Sequence, residues 1–152
     1  MFGDDIKSKA KGQQGKTAEK VVKDYLFALG LQRQDFDWHR GYDARSAGGK
    51  FQRIAGDFSW YKPGAHGIIE VKEVKHKDHR LPYQNFDSSQ VGKARIRRLA
   101  GGTVHVLVYS SITKTWKCPD IEFFATRPGT EYGSWDLSIF ESFAKPGEIL
   151  RL

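Results

Sequence analysis

The chain has 152 residues, enough for one domain and a short arm, and its 25 Lys and Arg against 18 Asp and Glu leave a formal net charge of +7. Apolar residues at 39% and aromatic residues at 13% can build a packed core, which excludes a disordered polybasic tail and a collagen-like chain. A single cysteine, Cys118, excludes an internal disulfide and a cysteine zinc cluster. No stretch has the apolar length of a signal peptide or a membrane span, so a reducing, cytoplasmic setting without membrane contact is expected.

Residues 1–12 are polar, with Lys7, Lys9 and Lys11 alternating with small residues, and read as a flexible basic arm ahead of a single domain over 13–152. From Thr17 a helical period begins: Ala18, Val21, Val22, Tyr25, Leu26 and Leu29 recur at spacings of three and four, and Gly30 supplies a stop. Glu19 borders this apolar stripe and can look toward whatever the helix packs on. Residues 32–40 are expected as a strand and residues 41–54, rich in Gly, Ser and Arg, as a loop. Residues 57–61 and 68–74 then alternate polar and apolar on either side of Pro63-Gly64, the pattern of an antiparallel hairpin. A charged connection (75–85), a helix (86–100) ended by Gly101-Gly102 and a short apolar strand (103–110) follow. Residues 116–124 read as further strand and 137–143 as a short terminal helix. Helices interleaved with strands, without an internal repeat, indicate an α/β fold.

The positive charge is clustered. Arg40, Arg45, Lys50 and Arg53 fall in one Gly-rich stretch, and Lys93, Arg95, Arg97 and Arg98 in another; a polyanion explains both groups more economically than solubility does. In the second helix Lys93 and Arg97 are one turn apart with Arg98 alongside, opposite Ile96 and Leu99, which reads as a phosphate-binding face.

The chemistry concentrates in Asp57, followed thirteen residues later by Glu70-Val71-Lys72. A period of two puts Glu70 and Lys72 on one face of a strand, and the hairpin brings Asp57 beside Glu70. Two carboxylates held together repel unless a cation lies between them, and hard oxygen ligands suit Mg²⁺, or Mn²⁺, better than zinc. Lys72 can then orient or help deprotonate an attacking water while neutralising charge on a phosphodiester. The bland alternative is a cross-strand salt bridge on an exposed strand. An acidic pair at the end of a hairpin in a protein of charge +7 weighs against it. Other clusters are weaker: His76, Asp78 and His79 lack a metal-ligand spacing, the tryptophans are expected mainly in the core, and Cys118 is expected as an inert packing residue.

Gly15-Lys16-Thr17-Ala18-Glu19, Asp57-Phe58, Ile69-Glu70-Val71-Lys72-Glu73-Val74-Lys75, Leu81-Pro82, Asn85-Phe86, Gln90 and Gly101-Gly102 together resemble the PD-(D/E)XK nuclease superfamily, and within it the RecU-type Holliday junction resolvases. Archaeal resolvases look similar through the helix glutamate, the thirteen-residue spacing and the glutamine helix. The resemblance implies a restriction-endonuclease-like core, a mixed central sheet flanked by helices. It implies metal binding by Asp57, Glu70 and the carbonyl of Val71, a catalytic Lys72, a supporting catalytic Glu19, and Gln90 at the rim of the site. Ala55 and Gly56 stand where the RecU pattern has a hydroxyl residue, and residues 41–54 are the only counterpart of that family's projecting stalk.

The expected function is therefore Mg²⁺-dependent hydrolysis of four-way DNA junctions, with Arg40, Arg45, Arg53, Lys75, Gln90, Lys93, Arg97 and Arg98 contacting DNA. Symmetric resolution needs two nicks, which a twofold homodimer supplies. The rivals are another nuclease of the superfamily, acting on duplex or nicked DNA, and a non-catalytic DNA-binding module.

Overall fold

Ala18, Val22 and Leu26 succeed one another at single helical turns and all are buried, so the helix that carries them, α1 (Phe2–Gln32), lays this stripe against a sheet. The computed structural model describes residues 17–41, 56–128 and 133–152 with their side chains, and residues 2–16 as helical backbone. Helical backbone thus begins before Thr17, where the apolar period begins. It also runs past Gly30, which is no stop. The expected loop at 41–54, with Arg45, Lys50 and Arg53, lies outside the described residues from 42 onward.

Three antiparallel strands follow, β1 (Asp37–Arg40), β2 (Phe58–Lys62) and β3 (Ala65–Val74). The first is shorter than expected. Residues 33–36 finish the helix end instead: the Arg33 N–H donates to the Leu29 carbonyl at 2.9 Å and its guanidinium pairs with Asp35 at 3.0 Å. Between β2 and β3, Gly64 takes φ +73°, a left-handed turn position suited to glycine.

After β3 come β4 (Arg80–Pro82), a 3₁₀ turn over Tyr83–Asn85, α2 (Ser88–Leu99) and β5 (Thr103–Ser110), which returns parallel to β3. The chain ends with β6 (Thr115–Lys117), α3 (Ile121–Ala125), β7 (Ser134–Asp136) and α4 (Pro146–Leu150). The main sheet has the order β1-β2-β3-β5-β6, and β4 pairs with β7 in a separate ribbon.

The structure departs from the sequence pattern at three further places. The charged connection contains a strand, β4. The strand expected over 116–124 stops at Lys117, and Asp120 caps a helix there by accepting the Glu122 N–H at 2.9 Å. The terminal helix is not at 137–143, where Leu137 is buried and Phe143 bridges to Trp116, but at Pro146–Leu150, with Pro146 in its first turn.

Phe58, Trp60, Ile69, Val71 and Leu107 point to the α1 side of the sheet. Ile68, Val74, Val106 and Val108 point to the side covered by α2, α3 and the β4–β7 ribbon. β3 and β5 are thus covered on both faces; β5 reads as a largely apolar run, whereas Glu70, Lys72 and Glu73 interrupt β3. On this sheet Glu70 and Lys72 alternate with the residues that face α1, so they belong to the α2 side.

Candidate active site

Gly56, at φ +86°, turns the chain into Asp57 just ahead of β2. The register pairs Phe58 with Ile69, and the Asp57 N–H donates to the Ile69 carbonyl at 2.9 Å, so Asp57 continues the ladder opposite Glu70. Asp57 Oδ2 accepts the Val71 N–H at 2.6 Å, a short charge-assisted bond that fixes the carboxylate against β3. Lys72 extends from the same face. Its Nζ is 3.9 Å from Glu70 Oε2, donates to Gln90 Oε1 at 3.3 Å and stands 4.9 Å from the centroid of the Phe86 ring.

Each contact on Lys72 traces to a local cause. Asp87 caps α2 by accepting the Gln90 N–H at 2.9 Å, which sets the first turn and so the glutamine. Phe86 is fully buried and packs edge-to-face on Phe124 at 5.0 Å, making a fixed floor beneath the ammonium. In the sequence Phe86 stands out only as part of the Asn85-Phe86 motif. Its position under the lysine depends on a packing partner nearly forty residues away.

The electrostatics are those of a like-charged pair withdrawn from water. Burial, then the Asp57 carboxylate, pushes Glu70 up to about 7. Burial also raises Asp57, against the lowering effects of the Val71 N–H and Lys72. Glu19, on α1, is raised by burial and by Asp57, and its Oε2 lies 2.9 Å from Arg40 Nη2. The structure therefore gathers Glu19, Asp57, Glu70 and Lys72 from α1, the β2 entry and β3, and adds Arg40 from β1.

A divalent cation fits this donor set. Two hard carboxylates face one another with one ammonium nearby, and the upward shift of Glu70, caused by burial and then by Asp57, is what an intervening cation would reverse. Among the described residues no group of three or more His, Cys, Asp or Glu side chains is placed to hold a metal ion. The remaining ligand positions would fall to the Val71 carbonyl, water and substrate, an arrangement that suits Mg²⁺.

The other basic residues lie farther out. On α2, Arg98 Nη1 is 2.6 Å from Asp120 Oδ1 and Arg95 Nε is 3.0 Å from Glu122 Oε1, so α3 holds two of the four cations of that cluster in ion pairs. Arg97 packs its aliphatic stem along Gly102, and Lys93 is half-buried. Lys75 is exposed just beyond β3 and lies near Glu73. His76 pairs with Asp78 at 3.4 Å on the surface. Trp60, Trp116 and Trp135 are buried in the core, and burial pushes the Cys118 thiol up to about 11, far from a reactive thiolate.

The fold is shared with Hjc, a Holliday junction resolvase from the archaeal hyperthermophile Archaeoglobus fulgidus. The two structures superpose with a TM-score of 0.50 over 83% of this chain and 96% of that one, at 18% sequence identity. The expected architecture, a mixed central sheet flanked by helices, is thus the one observed. No protein-family model and no curated protein sequence matches the chain. No helix among the described residues is long and apolar enough to cross a membrane.

Proposed function

We propose that this protein is a metal-dependent endodeoxyribonuclease that cuts four-way DNA junctions, working in recombination or repair as a homodimer in the cytoplasm. The observation that carries the reading is the meeting of Asp57, Glu70 and Lys72 on one face of β2 and β3, in a fold shared with a junction resolvase. The ordered run Leu81-Pro82, Asn85-Phe86 and Gln90 supports the RecU-type resemblance within that class. The net charge of +7 supports a polyanionic substrate.

Asp57, Glu70 and the Val71 carbonyl would hold a Mg²⁺ ion, with Mn²⁺ as a substitute. When bound, that ion supplies a Lewis acid for the phosphodiester and lowers the pKa of water. Lys72, held by Gln90 above Phe86, offsets negative charge that builds on the phosphoryl oxygens and orients the attacking water. Glu19 keeps Arg40 at the mouth of the site, where a guanidinium can meet a phosphate.

Cleavage of a four-way junction, compared in Mg²⁺ with cleavage of intact and nicked duplexes of the same sequence, tests the reading. Preferential cutting of the junction supports it. Equal cutting of linear duplex would assign the chain to another nuclease activity, and no cutting of any substrate would leave a DNA-binding module.

A further inference from the structure

The face of the sheet that bears Asp57 and Glu70 continues away from them along β2 and β3. In the antiparallel register Asp57 stands opposite Glu70, Ser59 opposite Ile68, and Tyr61 opposite His66, all on one face. β1 adds Asp37, opposite Tyr61, and His39, opposite Ser59, to that face, with His39 Nε2 3.0 Å from Asp37 Oδ2. Three rings on three adjacent strands result. Tyr61 and His66 stack at 6.5 Å with an interplanar angle of 16°, and His39 meets Tyr61 edge-on at 6.1 Å. Tyr61 is 43% exposed, whereas the tryptophans of β2 and β6 are buried on the other faces of their strands. A row of rings, Tyr61 and His39 exposed and His66 half-buried, that shares a face with the acidic pair is better suited to a flat aromatic ligand than to packing within the chain.

We infer that the Tyr61, His66 and His39 row is a stacking platform for an unpaired nucleobase of the DNA whose phosphate lies at Asp57 and Glu70. The inference rests on the nuclease reading for the position of that phosphate. From Asp57 to Tyr61 is four residues of strand, about 13 Å at about 3.3 Å per residue. That span equals roughly four stacked base steps at about 3.4 Å each, so the platform lies within reach of a base near the cut. Bases inside an intact duplex already stack on their neighbours and offer no free face. Bases at a branch point, a flap or a single strand do, and stacking on an aromatic side chain tolerates any sequence. The platform therefore favours branched or partly single-stranded DNA without reading sequence.

The test uses full-length protein carrying Glu70→Gln, so that DNA is bound and not cut, with fluorescence anisotropy on three probes: an oligothymidine strand, a four-way junction with unpaired bases at its centre, and a blunt duplex. Adding Tyr61→Ala should weaken binding of the first two by roughly five- to a hundredfold, the range for one lost base–aromatic stack, and change duplex binding little. Tyr61→Phe should keep the parent affinities, because the ring and not the hydroxyl is used. Tyr61→Leu, which keeps apolar bulk on the strand, should behave like Tyr61→Ala. Thermal melting identifies any variant that fails to fold, and Tyr61→Phe and Tyr61→Leu then decide the matter. Parent-like strand binding by Tyr61→Ala or Tyr61→Leu, or an equal loss on all three probes, would overturn the inference. Failure of the nuclease reading looks different: no metal-dependent cleavage by the unmodified chain, with the Tyr61 effect on strand binding intact.

Discussion

Glu70→Gln removes one of two facing carboxylate charges while preserving shape. The glutamine carbonyl can still accept the Gly56 N–H, and its amide can donate to Asp57 as a protonated Glu70 would. In the metal-free folded chain Glu70 holds its proton up to about 7, whereas in the unfolded chain it releases it near 4.5. Between those values the folded state binds more protons than the unfolded state, so wild-type stability falls as pH rises through this window and then levels off. At about 1.36 kcal/mol per unit, the displacement corresponds to about 3 kcal/mol. Glu70 is only 5% exposed, so solvent screens little of this. Urea unfolding in EDTA across the window should show the wild type losing about 3 kcal/mol relative to Glu70→Gln, and the variant should be the more stable protein above neutrality. Adding Mg²⁺ above neutrality should then stabilise the wild type, by about 2.7 kcal/mol at a hundredfold excess over Kd, and leave the variant nearly unmoved. Parallel pH dependences for the two proteins would overturn this account, since neither burial nor the Asp57 charge would then raise Glu70.

The same titration governs the metal. Because protons compete for Glu70 below about 7, the Mg²⁺ concentration for half-maximal cleavage should rise as pH falls through neutrality, by up to about tenfold per unit; a flat requirement would remove Glu70 from the ligand set. Gln90→Ala should lower kcat for junction cleavage by roughly tenfold with KM little changed, since it frees Lys72 without touching a DNA-binding charge; a change confined to KM would make Gln90 a binding residue. Asp120→Asn releases Arg98 from its ion pair. If the α2 face meets phosphates, this should steepen the log–log salt dependence of binding by up to about one unit, and an unchanged slope would turn that face to solvent. In a homodimer, excess Glu70→Gln protein mixed with active protein under subunit exchange should convert linear products of a cruciform plasmid into nicked circles; no such shift would mean that single chains act alone.

The parts of the site legible in the sequence are those fixed by strand period. Glu70 and Lys72 share a face because their side chains alternate with buried Ile69 and Val71, and the Pro63-Gly64 turn sets the register that brings Asp57 alongside. The burial of Ala18, Val22 and Leu26 was legible in the same way. Short elements were not. β4 is three residues ending in a proline and finds its partner β7 more than fifty residues later, so no local pattern marks it. The aromatic pair Phe123-Phe124 reads as strand, yet Asp120 accepts the Glu122 N–H and starts a helix; an Asp directly after Pro119 was the available sign. Leu137 and Phe140 have a helical spacing that core anchoring produces equally well, while Pro146 followed by Glu148 marked the true terminal helix. Ion pairs between distant elements, Glu19 with Arg40 and Arg98 with Asp120, depend wholly on tertiary packing and had no sequence signal.

The assignment of Asp57 and Glu70 as a metal-dependent cutting site for branched DNA can be probed in one set of samples. A fluorescent four-way junction incubated with wild-type protein and with Asp57→Asn, each in Mg²⁺ and in EDTA, tests it most directly when binding and strand cleavage are read from the same samples. The wild type should bind in both conditions and cut only in Mg²⁺, and Asp57→Asn should bind at least as tightly and not cut in either. Cleavage by Asp57→Asn near the wild-type rate, or wild-type cleavage that persists in EDTA, would contradict the assignment.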